Sequence, residues 1–252
     1  MNFIVLSSGS KGNTTYVECG NTKILIDVGN SCRYVTSKLE SIGIDGSEID
    51  AILVTHTHID HVKGLKVFWQ RFKPNVYVTK DMLVDLDYLE DYSLILDESF
   101  TIGDIVVEVV KTSHDAPGSV GYVINGAGKS LVYITDTGYI NSKYFDLLLN
   151  REAYILESNH DVELLSNSSY PFKLRQRILG DKGHLSNYDS AKYLANFIGT
   201  RTKCVCLAHL SEENNTFELA YNTLQERLTE TSKNVDKIMI AKQNEETELV
   251  KL

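Results

Sequence analysis

Residues 52–61, ILVTHTHIDH, run from an apolar β-like segment directly into three histidines and an aspartate. In an extended segment His56 and His58 stand at i and i+2 and point to one side, while a turn into a following helix swings Asp60 and His61 toward the same space. Neutral imidazoles and carboxylates suit Zn²⁺, Mn²⁺ or Fe. A mixed nitrogen and oxygen set without thiolate is typical of a catalytic rather than a purely structural metal site. The plain alternative is a polar loop with clustered histidines, but such residues after an apolar strand gain nothing from proximity without a cation. The motif therefore calls for a fold that ends strands at a common edge and brings further ligands to it.

Those further ligands are visible. His114 in KTSHDAPGS, Asp136 in VYITDTG and His209 in VCLAHLSEENN each follow a run of strand composition, so each can reach a shared edge of the sheets. Any one of them alone reads as a satisfied structural residue. Together they complete a site.

The rest of the chain fits packed sheets with outer helices. Strand composition marks 2–6, 15–18 and 23–27, with Gly20-Asn21 as a tight hairpin turn. It also marks 51–55, 75–79, FTIGDIVVEVV at 100–110, 120–124, 130–136, 153–158, 203–209 and 236–242. Helical spacing marks 31–42, VKGLKVFWQRF at 62–72, 142–150, 186–198 and 216–228, and the stretch between about 159 and 185 reads as a polar, basic loop. With 252 residues and no repeat or linker, residues 1–252 are expected to form one α/β domain. The opening MNFIVLSSGS has neither a basic n-region nor an apolar span, so the expectation is a cytoplasmic protein with no membrane partner. Cys204 and Cys206 share one face of a strand and no C-x-x-C pair exists, which favours buried thiols.

HTHIDH followed by His114, Asp136 and His209 resembles the metallo-β-lactamase superfamily. The resemblance implies an αββα sandwich in which His56, His58 and His114 hold one metal, Asp60, His61 and His209 a second, and Asp136 bridges. Asp27 in ILIDVG would hydrogen-bond near the site rather than bind metal. Two divalent transition-metal ions (Zn, Mn or Fe) lower the pKa of a bridging water and stabilise charge on an ester, lactam or phosphate oxygen, so hydrolysis is the expected chemistry. Secreted β-lactamases carry a signal peptide and a cysteine ligand, and the di-iron redox branch carries glutamate where this chain has His58; neither pattern fits.

The C-terminal third points to nucleases. GHLSNYDSAKYLANF followed by CVCLAHLSEENN resembles the arrangement in tRNA 3′-processing enzymes of the superfamily. Ser186 can cap the helix with Asp189 completing a capping pattern, leaving His184 beside the cap, facing outward and able to donate a proton to a leaving alkoxide. His160 in LESNHD is a candidate for contacting phosphate or positioning a proton donor. Asp60, His184 and His160 are thus the candidate catalytic residues, with purely local roles for the last two as the alternative. LSSGSKGN, THTHIDHVKGL, SHDAPGSVGY, ITDTG, ESNHD, GHLSN and AHLSEENN, in that order, resemble the YycJ (WalJ) family of metallo-β-lactamase-fold proteins. That resemblance implies 5′-to-3′ exonucleolytic cleavage of DNA in the cytoplasm, with links to DNA repair and cell-wall regulation. The expected partner is a DNA end, double-stranded in the first instance, with the oligomeric state left open. The alternatives are a thioester or lactone hydrolase of the glyoxalase II type and a non-catalytic partner in cell-wall signalling.

A formal charge of −9 excludes polyanion binding by the whole surface, so DNA must meet a local positive feature. SSGSKGN, with Gly9, Lys11 and Gly12, reads equally as a phosphate cradle or an ordinary turn. Lys173, Arg175 and Arg177 in PFKLRQR and the basic residues of KGLKVFWQRFK read as a binding set or as a solvated face.

Overall fold

The computed structural model describes residues 1–95 and 98–252. Its first half opens with β1 (Asn2–Ser7), β2 (Thr14–Cys19) and β3 (Thr22–Ile26), an antiparallel meander whose second turn is the expected Gly20-Asn21 pair. Helix α1 (Cys32–Ser41), capped by Ser31 accepting from the Tyr34 N–H, crosses to β4 (Ala51–Leu53). The helical turn α2 (Ile59–Val62) and helix α3 (Leu65–Phe72) then lead to β5 (Asn75–Val78) and β6 (Ser93–Leu94). Then β7 (Ser99–Ile102), β8 (Ile105–Lys111), β9 (Val120–Gly126) and β10 (Lys129–Ile134) form a second meander. Short α4 (Phe145–Leu148), β11 (Ala153–Glu157), α5 (Val162–Ser166), α6 (Phe172–Leu179), α7 (Asn187–Phe197), β12 (Cys204–Ala208), α8 (Phe217–Glu230), β13 (Lys237–Ile240) and β14 (Val250–Lys251) complete the chain.

The two sheets have the same construction. The orders are β14-β1-β2-β3-β4-β5-β6 and β13-β12-β11-β10-β9-β8-β7. In each sheet an antiparallel half passes into a parallel half, at β3–β4 and at β10–β11. Side chains alternate across the second sheet. Leu131, Tyr133, Ala153, Ile155, Cys204, Cys206 and Ala208 join the core shared with the first sheet. Val132, Ile134, Tyr154, Leu156, Val205 and Leu207 pack under α7 and α8. Each buried Val, Leu or Ile among them contributes about 1.5–3 kcal/mol by leaving water, so the strands are locked in register and their ends are fixed points. This is the αββα sandwich, with α1 and α3 on the first sheet. All four cysteines are buried and free, as expected.

Several local expectations are corrected. FTIGDIVVEVV is a hairpin, β7 and β8 turning at Gly103-Asp104, because Gly103 takes a left-handed φ of 49°. The helix expected over 62–72 is interrupted before Leu65 because Gly64 lies against the Asn30 carbonyl, where a Cβ would come within 2.0 Å. The loop expected between 159 and 185 contains α5 and α6. Helix α6 buries no residue, so it has no apolar stripe to show in sequence.

Candidate metal centre

Strand ends of both sheets meet at one edge. After β4 the chain continues through Thr55 and His56, and α2 turns Asp60 and His61 back. β8 is followed by His114, β10 by Asp136 and β12 by His209. Asp27, Asp136 and His209 adopt left-handed φ values of 60°, 54° and 55°, which bend the backbone at the strand end. Such conformations cost a non-glycine residue about 1–3 kcal/mol and are kept where the surroundings dictate them.

Four overlapping sets of side-chain donor atoms result, each set lying within 4.8 Å: His56 with His58 and His114; Asp60 with His61 and His209; His56 with His61 and Asp136; and Asp136 with Glu157, His184 and His209. The first two are the two triads expected from the sequence, and Asp136 lies between them. One of its oxygens is 3.3 Å from His61 Nε2, and the other is 3.4 Å from His209 Nδ1 and 3.9 Å from His114 Nε2. His58 Nδ1 and His114 Nε2 face each other at 3.2 Å. His56 Nε2, His209 Nε2 and Asp136 Oδ2 are buried with no hydrogen-bond partner among the described residues. Orphaned buried atoms on three residues of one cluster, all lone-pair donors, fit cations and little else.

A second layer fixes the rings. Asp27 accepts from the Thr55 N–H at 2.8 Å, the Thr55 hydroxyl at 2.7 Å and His61 Nδ1 at 2.7 Å, as its expected place near the site required. Asn13 Nδ2 donates to Asp60 Oδ2 at 3.2 Å and stands 3.0 Å from His61 Nε2. Glu157, at the end of β11, receives both His184 Nδ1 at 2.8 Å and His209 Nδ1 at 2.9 Å. Burial opposes charge on this carboxyl, but the two imidazoles outweigh it and hold it at about 2. Burial likewise opposes charge on His209, but Asp136, Asp60 and Glu157 raise it to about 10. His61 is raised in the same way by Asp136 and Asp27, while burial and neighbouring rings push His56 well below its ordinary value. Excess negative charge thus surrounds His61 and His209, and protons on these rings compete with any metal.

The chain matches the family model described as a beta-lactamase superfamily domain over residues 22–209. It is 38% identical to exodeoxyribonuclease WalJ of Streptococcus pneumoniae serotype 2 (strain D39 / NCTC 7466), over 90% of this chain and 88% of that one. It is 35% identical to exodeoxyribonuclease YycJ of Bacillus anthracis, over 91% and 90% respectively. The chain belongs to the WalJ/YycJ family. Among solved structures, the metallo-beta-lactamase fold protein YhfI from Bacillus subtilis aligns with 98% of this chain and 100% of its own. Its TM-score is 0.73 at 15% identity, a likeness of fold alone.

In this WalJ/YycJ-family chain the remaining site expectations divide. His184 lies beside the Ser186 cap, but it faces the cleft rather than outward. Its ring packs 5.1 Å from His114 and 5.4 Å from His209, and its side chain is 16% exposed. His160 is outside the ligand sets; it is 1% exposed, bridges to Ser186, and is pushed down to about 4, chiefly by burial. SSGSKGN is a structural turn: Ser8, Gly9, Lys11, Gly12 and Asn13 all donate their backbone N–H groups within the protein, and Lys11 Nζ pairs with Glu212. On α3, Lys66, Arg71 and Lys73 cover Tyr88, Phe72 and Trp69, so they belong to a solvated face. Sequence reasoning missed Glu157 and Asn13 as site residues. Their only local marks are a carboxylate at a strand end and an amide after a glycine loop.

Proposed function

We propose that the chain is a dinuclear-metal-dependent exodeoxyribonuclease acting 5′ to 3′ on DNA ends in the cytoplasm. His56, His58 and His114 would hold one divalent transition-metal ion and Asp60, His61 and His209 the other, with Asp136 lying between the two sets. The observation that carries the reading is the convergence of these side chains in overlapping donor sets beneath a cleft of about 300 Å³, which His58, Asp60, Asp136, His184 and His209 line and into which Glu157 orients His184. Its substrate class follows from the exodeoxyribonuclease relatives.

When bound, the ions supply Lewis acidity that activates water and offsets charge on the phosphoryl oxygens. The protein's own groups do the rest. Glu157 accepts a hydrogen bond from His184 Nδ1, which fixes the ring and leaves Nε2, unbonded among the described residues, as the atom that gives a proton to the departing 3′ oxygen. Glu157 also orients His209, as Asp27 and Thr55 orient His61. An alkoxide is a poor leaving group and needs such an acid; a thiolate does not.

The test is a substrate panel. Manganese- or zinc-loaded protein is incubated with end-labelled duplex DNA, bis-p-nitrophenyl phosphate and a glutathione thioester. Cleavage of the duplex is expected. Turnover of the thioester alone would establish the glyoxalase II type of reaction, and inactivity on all three with every metal would leave the signalling role.

A further inference from the structure

Helix α6 lies across the mouth of the metal cleft and presents Tyr170, just before its start, with Leu174, Arg177 and Ile178 to it, a spacing of one helical face. The other residues lining this cleft include Asp60, Asp136, Glu212 and Glu213, and among the described residues Arg177 is the one Lys or Arg on its wall. A polyanion entering the cleft has to pass these carboxylates.

Arg177 is anchored but not saturated. Its Nε donates to one oxygen of Asp115, whose other oxygen is 3.5 Å from His58 Nε2 and 3.5 Å from His114 Nε2. The guanidinium therefore stands one carboxylate away from the first triad. No partner among the described residues takes its two terminal amino groups, and its side chain is 50% exposed. An exposed pair of this kind adds little stability. Lys173 makes no comparable contact among the described residues, and Arg175 donates to the Ser166 carbonyl instead. The basic cluster of the sequence thus delivers a single cation to the site, with a planar fork of the shape that matches phosphate.

We propose that Arg177 binds a phosphate of the DNA strand end beside the metal centre, with Asp115 holding the guanidinium in place until the substrate arrives. The proposal rests on the nuclease reading for its substrate, while the phosphate contact is testable apart from it. Holoproteins carrying Arg177→Ala, Arg177→Lys and Asp115→Asn are compared with the unsubstituted protein after metal content and thermal unfolding are checked. In cleavage of a 5′-phosphorylated duplex across a KCl series, Arg177→Ala should raise KM about 10- to 100-fold with a smaller change in kcat, as loss of a charge-assisted bond predicts. It should also flatten the dependence of log(kcat/KM) on log[KCl] by about one unit. Arg177→Lys should recover the salt slope but only part of the KM, and Asp115→Asn should keep the slope. Calorimetry with thymidine 5′-monophosphate and with thymidine gives the second arm: Arg177→Ala should weaken the nucleotide about tenfold or more and leave the nucleoside unchanged. If the unsubstituted protein cleaves no DNA, the nuclease reading falls, and the phosphate contact is judged by calorimetry alone. Equal effects of Arg177→Ala and Asp115→Asn with an unchanged salt slope, or equal binding of the nucleotide by both proteins, would overturn the proposal and make Arg177 an anchor of α6.

Discussion

In the proposed mechanism the side chain that separates phosphodiester cleavage from hydrolysis in general is His184, whose Nε2 has no hydrogen-bond partner among the described residues while Nδ1 is held by Glu157. His184→Ala should lower the rate on DNA by about 10²- to 10⁴-fold while metal content and fold survive. Bis-p-nitrophenyl phosphate, whose leaving group scarcely needs a proton, should be affected far less, and equal losses on both substrates would remove the general-acid role. Glu157→Gln should reproduce part of this defect and also weaken metal binding about 10- to 100-fold, since His209 loses the same partner. Glu157 was illegible in the sequence because its importance is made by rings arriving 27 and 52 residues later. His160 has a different part. Burial holds it neutral down to about 4, whereas the unfolded chain gains a proton near 6.5. Between those values the unfolded state binds the extra proton, so stability is lost as pH falls through that window. Lowering the pH from 7.5 to 5 should cost about 2 kcal/mol through this residue alone. Urea unfolding at both pH values should show a smaller fall for His160→Gln, and an identical fall would show that His160 is not held neutral.

At the scale of elements, the site depends on how closely two loops approach. The loop after β3 touches α2 and the loop after β1 at Gly29, where a Cβ would lie 1.8 Å from the Asp60 carbonyl oxygen and 2.4 Å from the Asn13 nitrogen. Gly29→Ala must push Asp60 and His61 away from Asn13. It should destabilise the protein by about 1–3 kcal/mol, with a matching loss of metal affinity read by titration. An unchanged urea midpoint would contradict this packing. The strands and the HTHIDH turn were legible because an apolar run ending in ligands is a local pattern. So was the Ser186 cap, whose Asp189 N–H donates to the serine oxygen. Helix α6 was not legible, since a helix that buries nothing leaves no periodic trace, and the orientation of His184 depends on Glu157 in another element. The SSGSKGN loop shows the same limit: its glycines suit a phosphate cradle or a turn, and only its committed N–H groups decide for the turn.

The whole molecule explains why a chain of net charge −9 can act on DNA. Two sheets of the same construction bring the candidate ligands to one edge, so metal ions held there would concentrate positive charge beside Arg177, where a scissile phosphate would lie. Among the described residues no helix is long and apolar enough to cross a membrane. Metals that bind the folded site and not the unfolded chain would stabilise the fold, so chelation should lower the unfolding temperature. Ions present at a thousand times their Kd contribute about 4 kcal/mol. The most direct measurement follows the products from duplexes carrying a label at the 5′ or the 3′ terminus, beside a covalently closed circle of the same sequence, with metal-loaded protein. The account predicts immediate release of the 5′ label as a mononucleotide, late release of the 3′ label, no attack on the circle, and no reaction after chelation. Prompt cutting of the circle, or product formation that persists without metal, would contradict it.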